Sequence, residues 1–194
     1  MPSNPPHHHE YHPAPHASPH PNADPACALA HGDLPLDPAA RTLVAVFAGP
    51  VAQHLLHFGR DLGYRTVLLE PDPARAADGV YAAHELARGV QDGVVHADAD
   101  VVVVDHDRPE LGKVLRDVLA AGPRWVGVMG SPRHTAPHVA ALRALGVPAE
   151  MIAAVHRPVG LNIGSKTPPE IAVSVLAGLI ADRNGRPGGP FPTA

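Results

Sequence analysis

Between Arg157 and Glu170 the chain reads Arg-Pro-Val-Gly-Leu-Asn-Ile-Gly-Ser-Lys-Thr-Pro-Pro-Glu, which puts two glycines, a cation and a helix start into one segment. Such a segment suits an anion. Gly160 and Gly164 can adopt positive φ and let a ligand approach the backbone, while Thr167, Pro168 and Glu170 carry the signature of a capping box that opens a helix. The N-terminus of that helix presents unpaired N–H groups and a partial positive charge, to which Lys166 adds a full one. The competing reading is a surface loop whose glycines serve turn geometry. A second segment, Gly130-Ser131-Pro132-Arg133, sets a glycine turn, a hydroxyl and a guanidinium at an expected helix start. Ser131 could equally be an ordinary N-cap there. Two anion sites of this kind would favour a ligand with one or more phosphates.

Two other groups of residues could support chemistry. Asp105-His106-Asp107 places an imidazole between carboxylates, as a general base requires, although neighbours on an extended chain point to opposite sides, so a structural loop is the alternative. Gly49 and Glu70 stand where a dinucleotide fold has its glycine turn and its ribose-binding acid, about twenty residues apart. The turn is degraded: Ala48-Gly49-Pro50-Val51-Ala52 holds one glycine, and Pro50 lacks an N–H that could meet a phosphate. NAD(P) binding at this turn and a Rossmann scaffold that has lost it are both open. No serine elbow, His-Glu-x-x-His or Gly-Lys-Ser/Thr sequence occurs, which removes the commonest hydrolase and nucleotidase readings.

The elements that must position these residues alternate. Thr42 to Phe47 is a continuous apolar run read as a buried parallel strand. A helix follows with Val51, Leu55, Phe58 and Leu62 at helical spacing and Gly63 as its stop, and Tyr64 to Glu70 is the second strand. A short strand is expected near Gly93 to His96, then a strand over Val101 to Val104, whose β-branched side chains suit a sheet centre. Leu111 to Ala121 reads as helix and Arg124 to Val128 as strand. The next helix is expected to start at Ser131 and Pro132 and run through Val139 and Leu142 to Leu145. Met151 to Val155 reads as a short helix. The last helix spans Pro168 to about Asp182 with Ile171, Val175, Leu176 and Leu179 inward. The class is α/β: a Rossmann-like, doubly wound parallel sheet in a single domain over residues 41–184. Ligands in such folds bind beyond the carboxyl ends of the strands, where all the segments above fall.

The flanks differ in composition. Of the 194 residues, 24 are Pro and 15 are His. Residues 1–38 are rich in both and poor in large apolar side chains, so a disordered or polyproline-like tail is expected, and residues 185–194 form a Gly/Pro tail. His7, His8, His9, His12, His16 and His20 could chelate a transition metal weakly, or form a solvated tail, since interleaved prolines forbid the helix that would align them. Cys27 is the single cysteine, which excludes a disulfide framework within one chain. The formal net charge of −4 argues against nonspecific nucleic-acid binding. From Arg124 to Lys166 five Arg or Lys residues face one acid, Glu150, so a phosphate would prefer this half. No apolar run is long enough to span a bilayer, and the N-terminus lacks a secretion signal, so a cytoplasmic protein is expected.

Several of these segments resemble the C-terminal Rossmann domain of the XdhC/CoxI family, accessory proteins of xanthine dehydrogenase and related molybdenum hydroxylases. They are Val-Val-Val-Val-Asp-His-Asp, Val-Gly-Val-Met-Gly-Ser-Pro-Arg, Leu-Arg-Ala-Leu-Gly-Val-Pro and, above all, Pro-Val-Gly-Leu-Asn-Ile-Gly-Ser-Lys-Thr-Pro-Pro-Glu-Ile-Ala-Val-Ser-Val-Leu-Ala, between Val101 and Asp182. A weaker likeness extends back to Phe47-Ala48-Gly49-Pro50, where the family has Phe-Gly-Ala-Gly-His. Pro50 replaces that histidine, Asn162 stands where aspartate is usual, His134 where lysine is frequent, and Gly178 where glutamate often occurs. Family members also carry an N-terminal domain with a glycine- and cysteine-containing motif, to which Met1 to Arg41 bears no likeness.

The resemblance implies a maturation factor rather than a catalyst. It would bind molybdenum cofactor, keep it available for sulfuration by a cysteine desulfurase, and deliver it to the apo-enzyme of a molybdenum hydroxylase. A separate subunit of the N-terminal type and a homodimer are further partners to expect. The expected cofactor-binding set is Gly49, Glu70, Asp105, His106, Gly130, Ser131, Arg133, Gly160, Leu161, Asn162, Gly164, Lys166, Thr167 and Glu170, with no catalytic residue and no metal ligand assigned. The rival is an NAD(P)-dependent oxidoreductase with Gly49 and Glu70 on the nucleotide and His106 as acid or base, and a third reading is a regulatory scaffold that binds neither.

Overall fold

The computed structural model describes residues 41–77, 79, 81–131 and 136–190; the readings made for Met1 to Pro38, for Pro132, Arg133 and His134 and for residues 191–194 lie outside them. Thr42–Val46 forms β1, Pro50–Asp61 α1, Arg65–Leu69 β2, Pro73–Ala77 α2 and Glu85–Ala87 β3. Then come β4 at Ala99–Val103, α3 at Leu111–Ala120, β5 at Trp125–Val128, α4 at Pro137–Ala144, α5 at Ala149–Ala153 and α6 at Pro168–Arg183. The five strands pair in parallel in the order β3-β2-β1-β4-β5. Beyond β5 the sheet is extended by a single parallel bridge, from Gly127 to His156.

The apolar run of β1 is buried on both sides because its alternate side chains feed two cores. Leu43 and Ala45 join Leu68, Val102, Leu55 and Leu56 of α1 and Val175, Leu176 and Leu179 of α6. Val44 and Val46 join Val67, Val101 and Val103, together with Leu115 and Val118 of α3, Leu142 of α4 and Ile152 of α5. Period-two alternation in a strand covered on both faces is what a doubly wound sheet requires.

Two expectations need correction. The third strand is Glu85–Ala87 rather than a segment near Gly93 to His96; Val94 and Val95 are buried without strand pairing. Glu85–Ala87 has no apolar run because it lies at a sheet edge, and Leu86 is exposed. The helix after β5 starts at Pro137 with Ala136 before it, so Ser131 is not its N-cap. In α1 the inward residues are Ala52, Leu55, Leu56 and Gly59, whereas Val51 and Phe58 are half-buried and Leu62 is exposed. The helix lies close on the sheet: a Cβ at Gly59 would sit 2.5 Å from Leu43 Cδ2, so small residues occupy the contact line and bulky ones its flanks.

Candidate functional site

The strand order reverses between β1 and β4, and the crevice beyond their carboxyl ends is where this class of fold holds ligands. On the β1 and β2 side that crevice is filled by the chain itself. Glu70, at the end of β2, is fully buried and accepts hydrogen bonds from Ala48 N at 2.7 Å and Asp72 N at 3.0 Å. Arg108, from the loop after β4, grips it through two contacts, Nη2 to Oε1 at 2.9 Å and Nη1 to Oε2 at 3.2 Å. The guanidinium also lies over the Phe47 ring, 4.6 Å from its centroid. Burial would raise the Glu70 pKa, but the Arg108 bonds and the two backbone N–H groups outweigh it and hold the carboxyl below its ordinary value.

This corrects the dinucleotide reading of Glu70. Both carboxylate oxygens are occupied by the protein's own donors, so no acceptor is left for a ribose. Gly49 has extended backbone, φ 165° and ψ 173°, and a Cβ there would meet nothing within 4 Å. It is the N-cap of α1 and does not depend on being glycine. The left-handed residue in this turn is Phe47, with φ 75°, a conformation that non-glycine residues rarely adopt.

The loop before α6 also differs from a simple helix-terminus anion site. Lys166 N and Thr167 N both donate to Glu170 Oε2, at 2.8 and 3.0 Å, in the capping box. Pro168 and Pro169, the first two helical residues, have no N–H to offer. The donors at this terminus are therefore spent or absent, and the Glu170 carboxylate, held below its ordinary pKa by those two N–H bonds, answers the helix dipole. An external anion gains little here. The same holds for the site expected at Gly130-Ser131, because the helix described after β5 begins at Pro137, and Arg133 lies outside the described residues.

What the sequence segments do form is a cleft of about 730 Å³ beyond the ends of β4 and β5. Val104, Met129, Val159, Leu161 and Ile171 give it an apolar floor, and His106, Ser131, Asn162, Ser165 and Ser174 supply polar groups, with the backbone of Gly130 and Gly160 between them. His106 is the one titratable side chain among the described lining residues. The structure thus brings together His106, Gly130, Ser131, Gly160, Leu161 and Asn162 from the expected set. Gly49, Glu70, Asp105, Gly164, Lys166, Thr167 and Glu170 are not among the lining residues. Asp105 instead accepts from Asp107 N at 3.0 Å, closing a local turn, and Asp107, 88% exposed, stands 3.7 Å from His106 Nε2. The general-base arrangement accordingly reduces to an imidazole with an exposed, loosely placed carboxylate.

Gly160 is the residue that shapes the cleft wall. Its φ is +84°, and a Cβ on it would lie 2.5 Å from Ser174 Oγ and 3.0 Å from Ser174 C and Val175 N of α6. Ser174 Oγ donates to Leu161 O at 2.6 Å and Leu161 N donates to Ser174 O at 3.1 Å, which straps the loop onto the helix. Gly178, one turn further, keeps the same approach open. Arg157 closes the other end: its Nη2 donates to Ser131 O at 3.3 Å. Sequence reasoning missed Arg108, Ser165 and Ser174. Arg108 follows directly on the cluster at the end of β4, and a lone serine on the inward face of an apolar helix is a signal that it bonds something.

Residues 43–179 match the XdhC Rossmann domain. The chain belongs to the XdhC Rossmann-domain family. The uncharacterized protein YqeB of Escherichia coli strain K12 is 42% identical over 85 residues, 44% of this chain and 15% of that one. A crystal structure described as a xanthine dehydrogenase from Bacillus halodurans is similar with a TM-score of 0.61 at 24% identity, over 75% of this chain and 45% of that one. The chain therefore spans less than half the length of either relative, and the second likeness is one of fold. The match covers every strand of the sheet, the cleft and most of α6, so the XdhC-type domain and the described domain coincide. Among the described residues no helix is long and apolar enough to cross a membrane, and no group of three His, Cys, Asp or Glu could hold a metal ion.

Proposed function

We propose that this chain is the cofactor-handling domain of an accessory factor for a molybdenum hydroxylase, and that it holds molybdenum cofactor in the cleft beyond β4 and β5. The observation that carries the reading is the character of that cleft. Its volume lies in the range of small-molecule sites, its floor is apolar, and its walls offer hydroxyls, an amide and an imidazole with no carboxylate among the described lining residues. A pterin has apolar ring faces and an edge of hydrogen-bond donors and acceptors, and fits such a lining. Asn162, Ser131 and Ser174 would meet the ring edge, and the Ser165 hydroxyl, rather than a helix terminus, would meet the phosphate. The cofactor supplies its own redox metal chemistry when bound. The residues of this chain bind it, orient it and shield it.

Membership of the XdhC Rossmann family supports the maturation role, and so do the filled dinucleotide turn and the sealed Glu70. Sulfuration by a cysteine desulfurase, transfer to an apo-enzyme and cooperation with an N-terminal-type subunit belong to the same proposal. The test is retention: protein purified from cells that make molybdopterin should carry it, measured as the fluorescent oxidised pterin, alone or beside the cognate apo-enzyme. Absence of pterin in both preparations would overturn the reading. Micromolar binding of NAD or NADP in calorimetry would replace it with the oxidoreductase alternative.

A further inference from the structure

A second pocket, of about 350 Å³, lies between α4, α5 and the chain at Val155 to Arg157, and it shares no lining side chain with the cleft. Its walls are mostly aliphatic, from Val139, Ile152 and Val155. Its polar groups are all of one kind: His138, Arg143 and Arg157, with no carboxylate among the described lining residues. His138 is 97% buried, since only 3% of its surface is exposed, and its Nδ1 is buried without a hydrogen-bond partner. A buried imidazole nitrogen with nothing to bond is costly and rare. The guanidinium groups of Arg143 and Arg157 on the same lining make the pocket electropositive.

We infer that this pocket binds a small organic carboxylate, with its charged end among His138, Arg143 and Arg157 and its apolar body against Val139 and Ile152. Guanidinium groups match a carboxylate in shape as well as charge, and Arg157 is already steered by its bond to Ser131 O. The aliphatic walls favour a ligand with a hydrocarbon body over a bare inorganic anion. The titration of His138 agrees with the geometry. Burial first, then the charges of Arg157 and His106, hold its pKa below the ordinary value. A bound carboxylate would bring negative charge against His138. Because Arg157 also touches Ser131 at the rim of the cleft, occupancy here would be felt at the cleft wall.

Benzoate serves as the probe, observed by saturation-transfer NMR on the intact chain, with inorganic phosphate as the bare-anion control. The expected result is saturable benzoate binding that weakens about tenfold in Arg143→Gln, the loss of one charged hydrogen bond, and is lost in His138→Gln. Phosphate should compete poorly. Arg143 is exposed on α4, so its variant keeps the fold, and circular dichroism verifies both variants. Should His138→Gln fail to fold, Arg143→Gln decides alone. No saturable benzoate signal, equal affinity in Arg143→Gln, or phosphate binding as tightly as benzoate would overturn the inference. Failure of molybdopterin retention would leave it standing, because His138 and Arg143 do not line the cleft.

Discussion

Replacing Gly160 by alanine should be far more damaging than the same change at Gly49 or Gly164, and the three variants separate two physical causes. At Gly160 an added Cβ must adopt φ +84° and also press to 3.0 Å from the backbone of Ser174 and Val175. The left-handed conformation costs a residue with a side chain about 1–2 kcal/mol. Overpacking against groups that cannot move adds about 1–3 kcal/mol. Gly160→Ala should therefore lose about 2–5 kcal/mol in all. Gly164 has φ +73° but open space around its Cβ position, so Gly164→Ala should lose only the conformational part, about 1–2 kcal/mol. Gly49 is extended and open, and Gly49→Ala should change stability by less than about 1 kcal/mol, the lower entropy of the unfolded chain offsetting a poorer N-cap. Urea unfolding followed by the fluorescence of Trp125, the single tryptophan, measures all three. Pterin retention should follow the same order, because Gly160 shapes the cleft wall and Gly49 does not line it. A Gly160→Ala protein within 1 kcal/mol of wild type, or one less affected than Gly49→Ala, would refute the reasoning.

Other outcomes follow from the buried polar groups. Arg108→Met strands the Glu70 carboxylate and should cost about 3–5 kcal/mol in urea unfolding, the range for breaking a buried pair. Glu70 has a lowered folded pKa, so its contribution is complete above the unfolded value of about 4.3 and is lost as pH falls through the lower folded value. Melting temperature should accordingly decline more steeply below about pH 4 in the wild type than in Glu70→Gln. Asp100, fully buried between Arg124 Nε at 2.5 Å and Arg183 Nη2 at 2.9 Å, ties β4 to the end of α6; Asp100→Asn should cost about 3 kcal/mol or more by chemical denaturation. Titration with NAD and NADP, each oxidised and reduced, should give no saturable heat, because Glu70 has no free oxygen to accept a ribose hydroxyl.

Much of this molecule was legible in one dimension. The buried runs of β1 and β4, the glycine stops of the helices and the Thr167–Glu170 capping box are local signals, and each appears where periodicity and cap chemistry place it. The carboxyl-end rule then located the cleft, since Gly130, Ser131 and the Gly160 loop all follow strands or lead into a helix. The failures share one origin. β3 is held by main-chain pairing at a sheet edge, which leaves little trace in side-chain pattern. The inner face of α1 is set by closeness to Leu43 rather than by hydrophobic bulk, so spacing alone did not name it.

Which polar groups remain available to a ligand could be decided only in three dimensions. Glu70, Lys166 and Thr167 have the right types at the right spacing for binding, yet Glu70 is claimed by Arg108, 38 residues away, and both backbone donors are claimed by Glu170. Sequence displays a residue's capacity to bond. Whether that capacity is already used depends on neighbours that folding alone brings together, and here folding closes the dinucleotide turn while leaving open the cleft between β4, β5 and the loop before α6.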